Sequence, residues 1–484
     1  MSAKNQKWLI MAAVATGTFM SVVDGSIVNI ALPAIETNFN APFSSVQWVV
    51  LGYMLVLVTL MLTIGRLGDM FGKKKIYLAG FAIFTIGSLL CGLSPSIGVL
   101  IGARIIQAFG AVMIMALGTA IITEAFPPSE RGRALGISGL IVSIGGISGP
   151  SLGGLLLSVS TWHSIFFVNL PIGVFGILMG IRFIPHSIPP GGQKFDIPGA
   201  VMLFASLFSL LLGLTNGENA GFLQPLTLAL FAGFLLFLVI FLRIEKRSVS
   251  PMIDLSLFSN KLFSVNLVTG FITFVGSAGL VLLMPFYLQN VLRLEPGLAG
   301  LMLTTVPISM GIVAPISGSL SDQLGSRPLT VAGLAVLALA YVGASTLSTT
   351  TSILGYVLRF IPIGIGMGLF QSPNNSAIMG SAPRERLGVA SGLLSITRTL
   401  GQTSGIAILG AIWSSRVAAL SGMPGGDATV APGEFQVAGL HFSLNIVIVL
   451  VVLALLMSLA AYWQERKIKE TVLAASEPGE VRLD

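Results

Sequence analysis

A chain of 484 residues with 54% hydrophobic side chains, 9% charged ones and a mean hydropathy of +0.92 is no ordinary soluble domain, because soluble domains carry about 25% charged residues. The ~10-residue alternating segments of a membrane β-barrel are absent. A single cysteine, Cys91, excludes a disulfide framework or thiolate metal site, and His163, His186 and His441 lack metal-ligand spacing.

The first apolar run, Trp8 to Leu32, follows Lys4 and Lys7 and contains an ALPA tetrapeptide, so it imitates a secretory leader. It is too long for a leader's apolar region and carries Asp24 in its interior, which makes it the first membrane helix. Further runs, each long enough to cross a ~30 Å hydrocarbon core, are predicted at 46–65, 76–94, 97–123, 133–158, 164–184, 197–215, 224–242, 263–289, 297–318, 329–346, 352–377, 387–414 and 438–462. Fourteen spans place both termini on one side. Lys4, Lys7, Lys73, Lys74, Lys75, Arg131, Arg133, Arg243, Lys246, Arg247, Arg327, Arg384 and Arg386 crowd that side, while the opposite loops hold only Arg293 and Arg416. The positive-inside rule makes the crowded side cytoplasmic. The net charge of +7 therefore expresses topology in a cell membrane, with the lipid bilayer as partner and no nucleic acid. Trp8, Trp48, Trp162, Trp413 and Trp463 fall at predicted helix ends, where amphipathic rings favour the interface.

"GRLGDMFGKKKIYLAG" (Gly65 to Gly80) returns as "GSLSDQLGSRPLTVAG" (Gly318 to Gly333), with Gly65/Gly318, Leu67/Leu320, Asp69/Asp322, Gly72/Gly325, Ala79/Ala332 and Gly80/Gly333 identical and Lys74 opposite Arg327. Both copies read as short cytoplasmic turns, one between the second and third spans and one between the tenth and eleventh. A matching turn in both halves implies two related bundles. The expected plan is an all-α polytopic membrane protein: a six-helix bundle over 1–190, two inserted helices with flanking loops over 191–250, a second six-helix bundle over 251–465, and a cytoplasmic tail over 466–484.

In the repeated turn, Gly65, Gly68 and Gly72 allow close approach and a sharp turn. Asp69 can accept from a neighbouring helix start or pair with a cation such as Lys73. Asp69, Asp322, Lys73 and Arg327 are thus expected to gate the cytoplasmic side as a latch between the bundles; a merely solvated basic turn is the alternative. In the fifth span, Gly145, Gly149, Pro150, Gly153 and Gly154 form a small-residue face suited to backbone-to-backbone packing, with Pro150 loosening the ladder.

Asp24 is the one acid well inside a predicted span, and acids at such depth usually face a cavity or an ion pathway. Burial favours the protonated acid and a nearby cation favours the anion. Arg104, near the outer end of the fourth span, is the expected partner, because an arginine modulates the acid without carrying the proton. Asn29, Gln107, Asn169, Gln371, Asn374, Asn375 and Arg398 are expected to line a substrate cavity, with interhelical contact as the alternative for each. "FQSPNNS" (Phe370 to Ser376), with a proline and two asparagines, is expected to be a broken, cavity-lining stretch.

These motifs carry a resemblance. "GRLGDMFGKKK" resembles the loop signature of the major facilitator superfamily, and "ARIIQAFGAVM" (Ala103 to Met113) its Arg-bearing fourth-helix motif, with Ala108 where glycine is usual. "GGISGPSLGG" (Gly145 to Gly154) resembles the fifth-helix signature of its antiporters. "VVDGSIVNIALPAI" (Val22 to Ile35) and "WHSIFFVNLPIGV" (Trp162 to Val174) are similar to motifs of the fourteen-helix drug:proton antiporters, with His163 and Ser164 in place of Arg-Trp. The resemblance covers nearly the whole chain. It implies a secondary transporter that exchanges protons for amphipathic compounds by alternating access; a monomer is expected. An exporter of lipids or lipid conjugates is the alternative.

Other classes fit less well. "GDMFGKKK" is one residue short of a phosphate loop and lacks the following Ser or Thr, so no ATP engine is visible and energy is expected from a proton gradient without a cofactor. An enzyme would need clustered acids or histidines, and none cluster.

Overall fold

The computed structural model describes residues 3–127, 130–185, 196–248, 255–381, 387–422 and 428–476. Every described element is helical, as expected where lipid offers backbone groups no partners. The first bundle comprises α1 (Ala3–Phe39), α2 (Phe43–Phe71), α3 (Lys73–Gly92), α4 (Ile97–Ala125), α5 (Arg131–Val159) and a sixth span made of α6 (Ser164–Phe167) and α7 (Asn169–Phe183). An inserted pair follows, α8 (Ile197–Ala220) and α9 (Pro225–Arg247). The second bundle holds α10 (Lys261–Phe286), which runs into a π-helical turn (Tyr287–Val291), then α11 (Pro296–Leu303) and α12 (Thr305–Leu324) as one span, α13 (Ser326–Ala344), α14 (Ile353–Ser381), α15 (Leu387–Ser421) and α16 (Gly433–Ser476). Fourteen of these segments are long and apolar enough to cross a membrane. Fourteen crossings put the start of α1 and the end of α16 on one face, called the terminal face; the opposite one is the far face.

Helix ends follow their capping chemistry. Ser96 accepts from Val99 N at the start of α4, Asp196 from Gly199 N at α8, and Asn260 from Leu262 and Phe263 N at α10. The repeated turn is tighter than the sequence suggests. Helix α2 continues to Phe71 and α3 begins at Lys73, so the whole turn is Gly72 with φ +96°; in the second copy Gly325, φ +85°, separates α12 from α13. Only glycine adopts that conformation freely. Gly65 has open space around it and Gly68 packs on Leu117 of α4, so neither makes the turn. One further expectation is corrected. "FQSPNNS" is unbroken helix within α14, Pro362 and Pro373 included, because neighbouring helices can compensate a proline at membrane depth. Beyond the last span, α16 runs on to Ser476.

The two bundles share one pairing scheme. In the first, α1 packs on α5 and α7, α4 on α2 and α3, and α3 on α7; in the second, α10 packs on α15 and α16, α14 on α12 and α13, and α13 on α16. The corresponding crossings are built alike. Gly110 of α4 lies against the Gly80 carbonyl and Phe84 backbone of α3, and Gly366 of α14 lies against the Gly333 carbonyl and Leu337 backbone of α13. Lys74, at the start of α3, donates to Ile181 O of α7 at 2.9 Å, while its counterpart Arg327 reaches Glu465 of α16 at 3.2 Å. Between the bundles, α2 meets α15 and α5 meets α11. The inserted pair packs mainly on itself, with α8 touching both α2 and α15 and α9 burying only Thr227, Phe241 and Glu245.

Gly110→Val and Gly366→Val would each push a side chain into backbone that cannot rotate away, at the upper end of the ~1–3 kcal/mol typical of overpacking. Both are expected to reduce the yield of monodisperse, detergent-extracted protein severalfold. Gly343→Ala, which meets open space, leaves that yield unchanged.

Candidate functional site: a buried carboxylate between three helices

Helix α1 reaches the site through the glycine face of α5. Gly145 receives Val22 and the Phe19 carbonyl, Gly149 receives Ser26, and Gly153 receives Ile27 and Ile30; a side chain at any of them would collide with α1. This docking presses one side of α1 onto α5 and turns Asp24, on the other side, toward α4 and α7. The neighbouring edge of α5 serves the second bundle: Gly154 lies against Pro296, Gly297 and Gly300, and Gly300 against the Pro150 carbonyl. Gly146 meets nothing.

Asp24 is fully buried and both of its oxygens are occupied. Arg104 Nη1 donates to Oδ2 at 2.6 Å, and Gln107 Nε2 and Asn169 Nδ2 each donate to Oδ1 at 2.8 Å. Arg104 is 1% exposed; Gln107 and Asn169 are wholly enclosed. The guanidinium also donates to Gln107 Oε1 at 2.6 Å and Val49 O at 3.1 Å, and lies 4.1 Å from the Tyr53 ring centroid. Gln107 donates to Ser88 at 2.7 Å, and the Cys91 thiol lies 3.7 Å from Gln107 Oε1. Such a network is high-stakes: every member is needed to hold a charge away from water.

The structure thus brings Asp24, Arg104, Gln107 and Asn169 together. Gln107 and Asn169, expected to line a cavity, are instead sealed around the carboxylate. Asn29 donates to Gly25 O of its own helix at 3.2 Å, and its Oδ1 has no partner among the described residues. Asn374 donates to Asn266 O at 3.2 Å and is buried; Gln371, Asn375 and Arg398 are half-buried. Arg327 pairs with Glu465 and donates to Asn266 Oδ1 at 2.7 Å, and Lys73 pairs with Glu124 at 2.6 Å. These contacts of Lys73 and Arg327 lie within one bundle. The side chains of Asp69 and Asp322 are outside the described residues, so the expected latch has no geometry here.

Ser88, Tyr53 and Asn266 were missed as contributors. Asn266 carries the same signal as Asn374, an amide inside a span; Tyr53 and Ser88 carry none, being ordinary in a membrane helix. Contacts across the two bundles were not foreseen either. Thr429 donates to Glu36, Gln289 Nε2 donates to Ile30 O at 3.0 Å, and Phe43 stands edge-on to Phe286 at 5.1 Å and to Trp413 at 5.0 Å. All lie toward the far face.

The family model of the Major Facilitator Superfamily matches residues 14–406. The chain belongs to that superfamily. This facilitator is 39% identical over 410 residues to the riboflavin transporter RibZ of Clostridioides difficile, covering 84% of this chain and 89% of that one. It is 34% identical over 415 residues to the multidrug resistance protein Stp of Mycobacterium tuberculosis, covering 85% and 76%, and 32% identical over 417 residues to the tetracenomycin C resistance and export protein of Streptomyces glaucescens, covering 86% and 77%. Among solved structures, a bacterial homologue of the lysosomal transporter Spinster, inward-facing and unoccupied, superposes with TM-score 0.67 at 19% identity over 94% of this chain and 97% of that one. The facilitator is a transporter and not an enzyme.

Removing one partner of a buried ion pair typically costs ~3–5 kcal/mol. Both single variants are therefore expected to lower the thermal unfolding midpoint, Asp24→Asn the more, because Arg104 keeps its charge whereas the acid left by Arg104→Gln can take up a proton. The double variant should recover part of the Asp24→Asn loss. Detergent-phase unfolding of the three proteins checks the order.

Proposed function

We propose that the protein is a proton-driven exporter of amphipathic small molecules, and that Asp24 carries the coupled proton. The observation supporting this most directly is the Asp24 carboxylate, buried at membrane depth and held by donors from α4 and α7. Rocking one helix against the others would trade those donors for a proton. With the terminal face cytoplasmic, as the distribution of lysine and arginine indicates, the contacts of Glu36, Gln289 and Phe43 close the external side. Names of relatives such as Stp and the tetracenomycin C exporter support drug export; RibZ supports a second substrate reading, a planar heterocyclic metabolite. An exporter of lipids remains the outcome if no soluble amphiphile is moved. No cofactor enters this cycle, and the monomer holds the whole site. One proton crossing ~150 mV supplies about 3.5 kcal/mol, at ~2.3 kcal/mol per 100 mV. That sustains a concentration ratio of a few hundred, at ~1.4 kcal/mol per tenfold.

Everted vesicles loaded with a panel of fluorescent amphiphiles, with and without a proton gradient, test the reading. Asp24→Asn mimics the protonated acid and is expected to abolish uphill movement while substrate still binds, with the pH dependence of binding flattened. Asp24→Glu retains partial activity with a shifted pH optimum. Uphill transport by Asp24→Asn would assign the proton elsewhere.

The repeated turn yields a separate expectation. As a latch residue, Asp69→Asn slows turnover with abundance and binding intact, and Asp322→Asn is milder because fewer basic residues surround its turn. Parallel measurement of transport, abundance and binding decides it; equal loss of all three would mark Asp69 as structural.

A further inference from the structure

Among the described residues, the arginines deep in the spans find hydrogen-bond acceptors, with one exception. Asp24 and Arg104 neutralise each other inside a shell of amides. Arg359, near the far face, donates to Thr346 Oγ1 and to Gly355 O, both at 2.9 Å. Arg398 is half-buried in α15, and among the described residues nothing accepts a hydrogen bond from its guanidinium. Arginine keeps its charge at any working pH, so this is a standing, unanswered positive charge inside the protein.

Its position gives that charge a use. Gly401 and Gly405 seat α15 on Phe271 and Val275 of α10, and Gly410 seats it on Gln47 of α2. At 3.6 residues per turn, Arg398 leaves α15 between these two stripes, in the sector turned toward the seam of the bundles. It lies one turn nearer the terminal face than Gly401. That is close to the height of Asn266 and Asn374, which are 2% exposed and have an unpartnered Nδ2 and Oδ1 respectively. Among the described side chains, Asp24 is the one acid well inside a span, and its oxygens are already filled by Arg104, Gln107 and Asn169.

We infer that Arg398 anchors a negatively charged group of the transported molecule, a carboxylate, sulfonate or phosphate, so that the preferred substrates are acidic amphiphiles and not lipophilic cations. A cation beside Arg398 would face an uncompensated guanidinium, whereas an anion would supply the acceptor it lacks. The inference rests on the transport reading above and narrows its substrate class.

The test uses two xanthene dyes of similar ring system and opposite charge, fluorescein and rhodamine 6G, with binding to the purified full-length protein followed by anisotropy. Wild type is expected to bind fluorescein saturably and in preference to rhodamine 6G. Arg398→Gln should weaken fluorescein about tenfold or more, the scale of losing one partner of a buried charge contact, and leave rhodamine 6G unchanged or tighter; Arg398→Lys should keep most of the fluorescein affinity. Stronger rhodamine 6G binding to wild type, no saturable fluorescein binding, or equal fluorescein binding to Arg398→Gln overturns the assignment. The wild-type preference decides the matter even if the glutamine variant fails to fold. Proteoliposomes separate the two readings. Arg398-dependent fluorescein binding without proton-driven movement sinks the export reading alone, and proton-driven export of rhodamine 6G without fluorescein binding sinks this inference alone.

Discussion

The ion pair of Asp24 and Arg104 is the constraint around which the first bundle is organised. Two charges have been taken out of water, and that is tolerable only with near-complete hydrogen bonding. Four side chains and a carbonyl provide it: Gln107 and Asn169 on the carboxylate, Gln107 and Val49 on the guanidinium, Tyr53 over its face and Ser88 behind the glutamine. The residues come from α1, α2, α3, α4 and α7, so the pair draws five of the bundle's helices to one point. The glycine face of α5 completes the arrangement from behind by fixing where α1 sits.

The second bundle has the same scaffold without the buried ion pair. Its corresponding helices, α10 and α14, are joined by an amide, Asn374 to the Asn266 carbonyl. The glycine crossings and the basic residue that ties the third helix of each bundle to its sixth recur in both halves. The repeat therefore preserves packing while the chemistry has become one-sided. In the proposed cycle a proton exchanged at Asp24 would act on the first bundle and reach the second through the helices that touch, among them α1 with α10, α2 with α15 and α5 with α11.

Hydropathy made the fourteen spans legible, and the rarity of charge in them singled out Asp24 and Arg104 before any coordinates. The Gly65 and Gly318 segments disclosed the repeat because a positive-φ turn demands glycine at Gly72 and Gly325 whatever surrounds it. Neighbours across helices were another matter. A single sequence shows which residues share a face, and Gln107 sits one turn from Arg104, yet nothing in it says that Asn169, 145 residues away from Asp24, lands on the same carboxylate. The helix through Pro373 was misjudged for a related reason: the compensation for a missing N–H comes from other helices, which local sequence does not reveal. Ser88 and Tyr53 owe their importance wholly to packing.

The inserted pair has a mechanical consequence. Helix α8 touches α2 of one bundle and α15 of the other, through residues such as Leu203, Leu207, Leu211 and Phe208, the last 6.3 Å from the Trp48 ring. Its polar groups are satisfied inside the pair: Ser206 bonds Phe234 O, and Asn216 bonds Thr227. Apolar side chains slide past one another without a hydrogen bond to break. In the proposed cycle the two extra helices would ride on the joint as a greased bearing, covering one flank of the seam from lipid while the bundles turn beneath them, and leaving the α5–α11 flank as the open one.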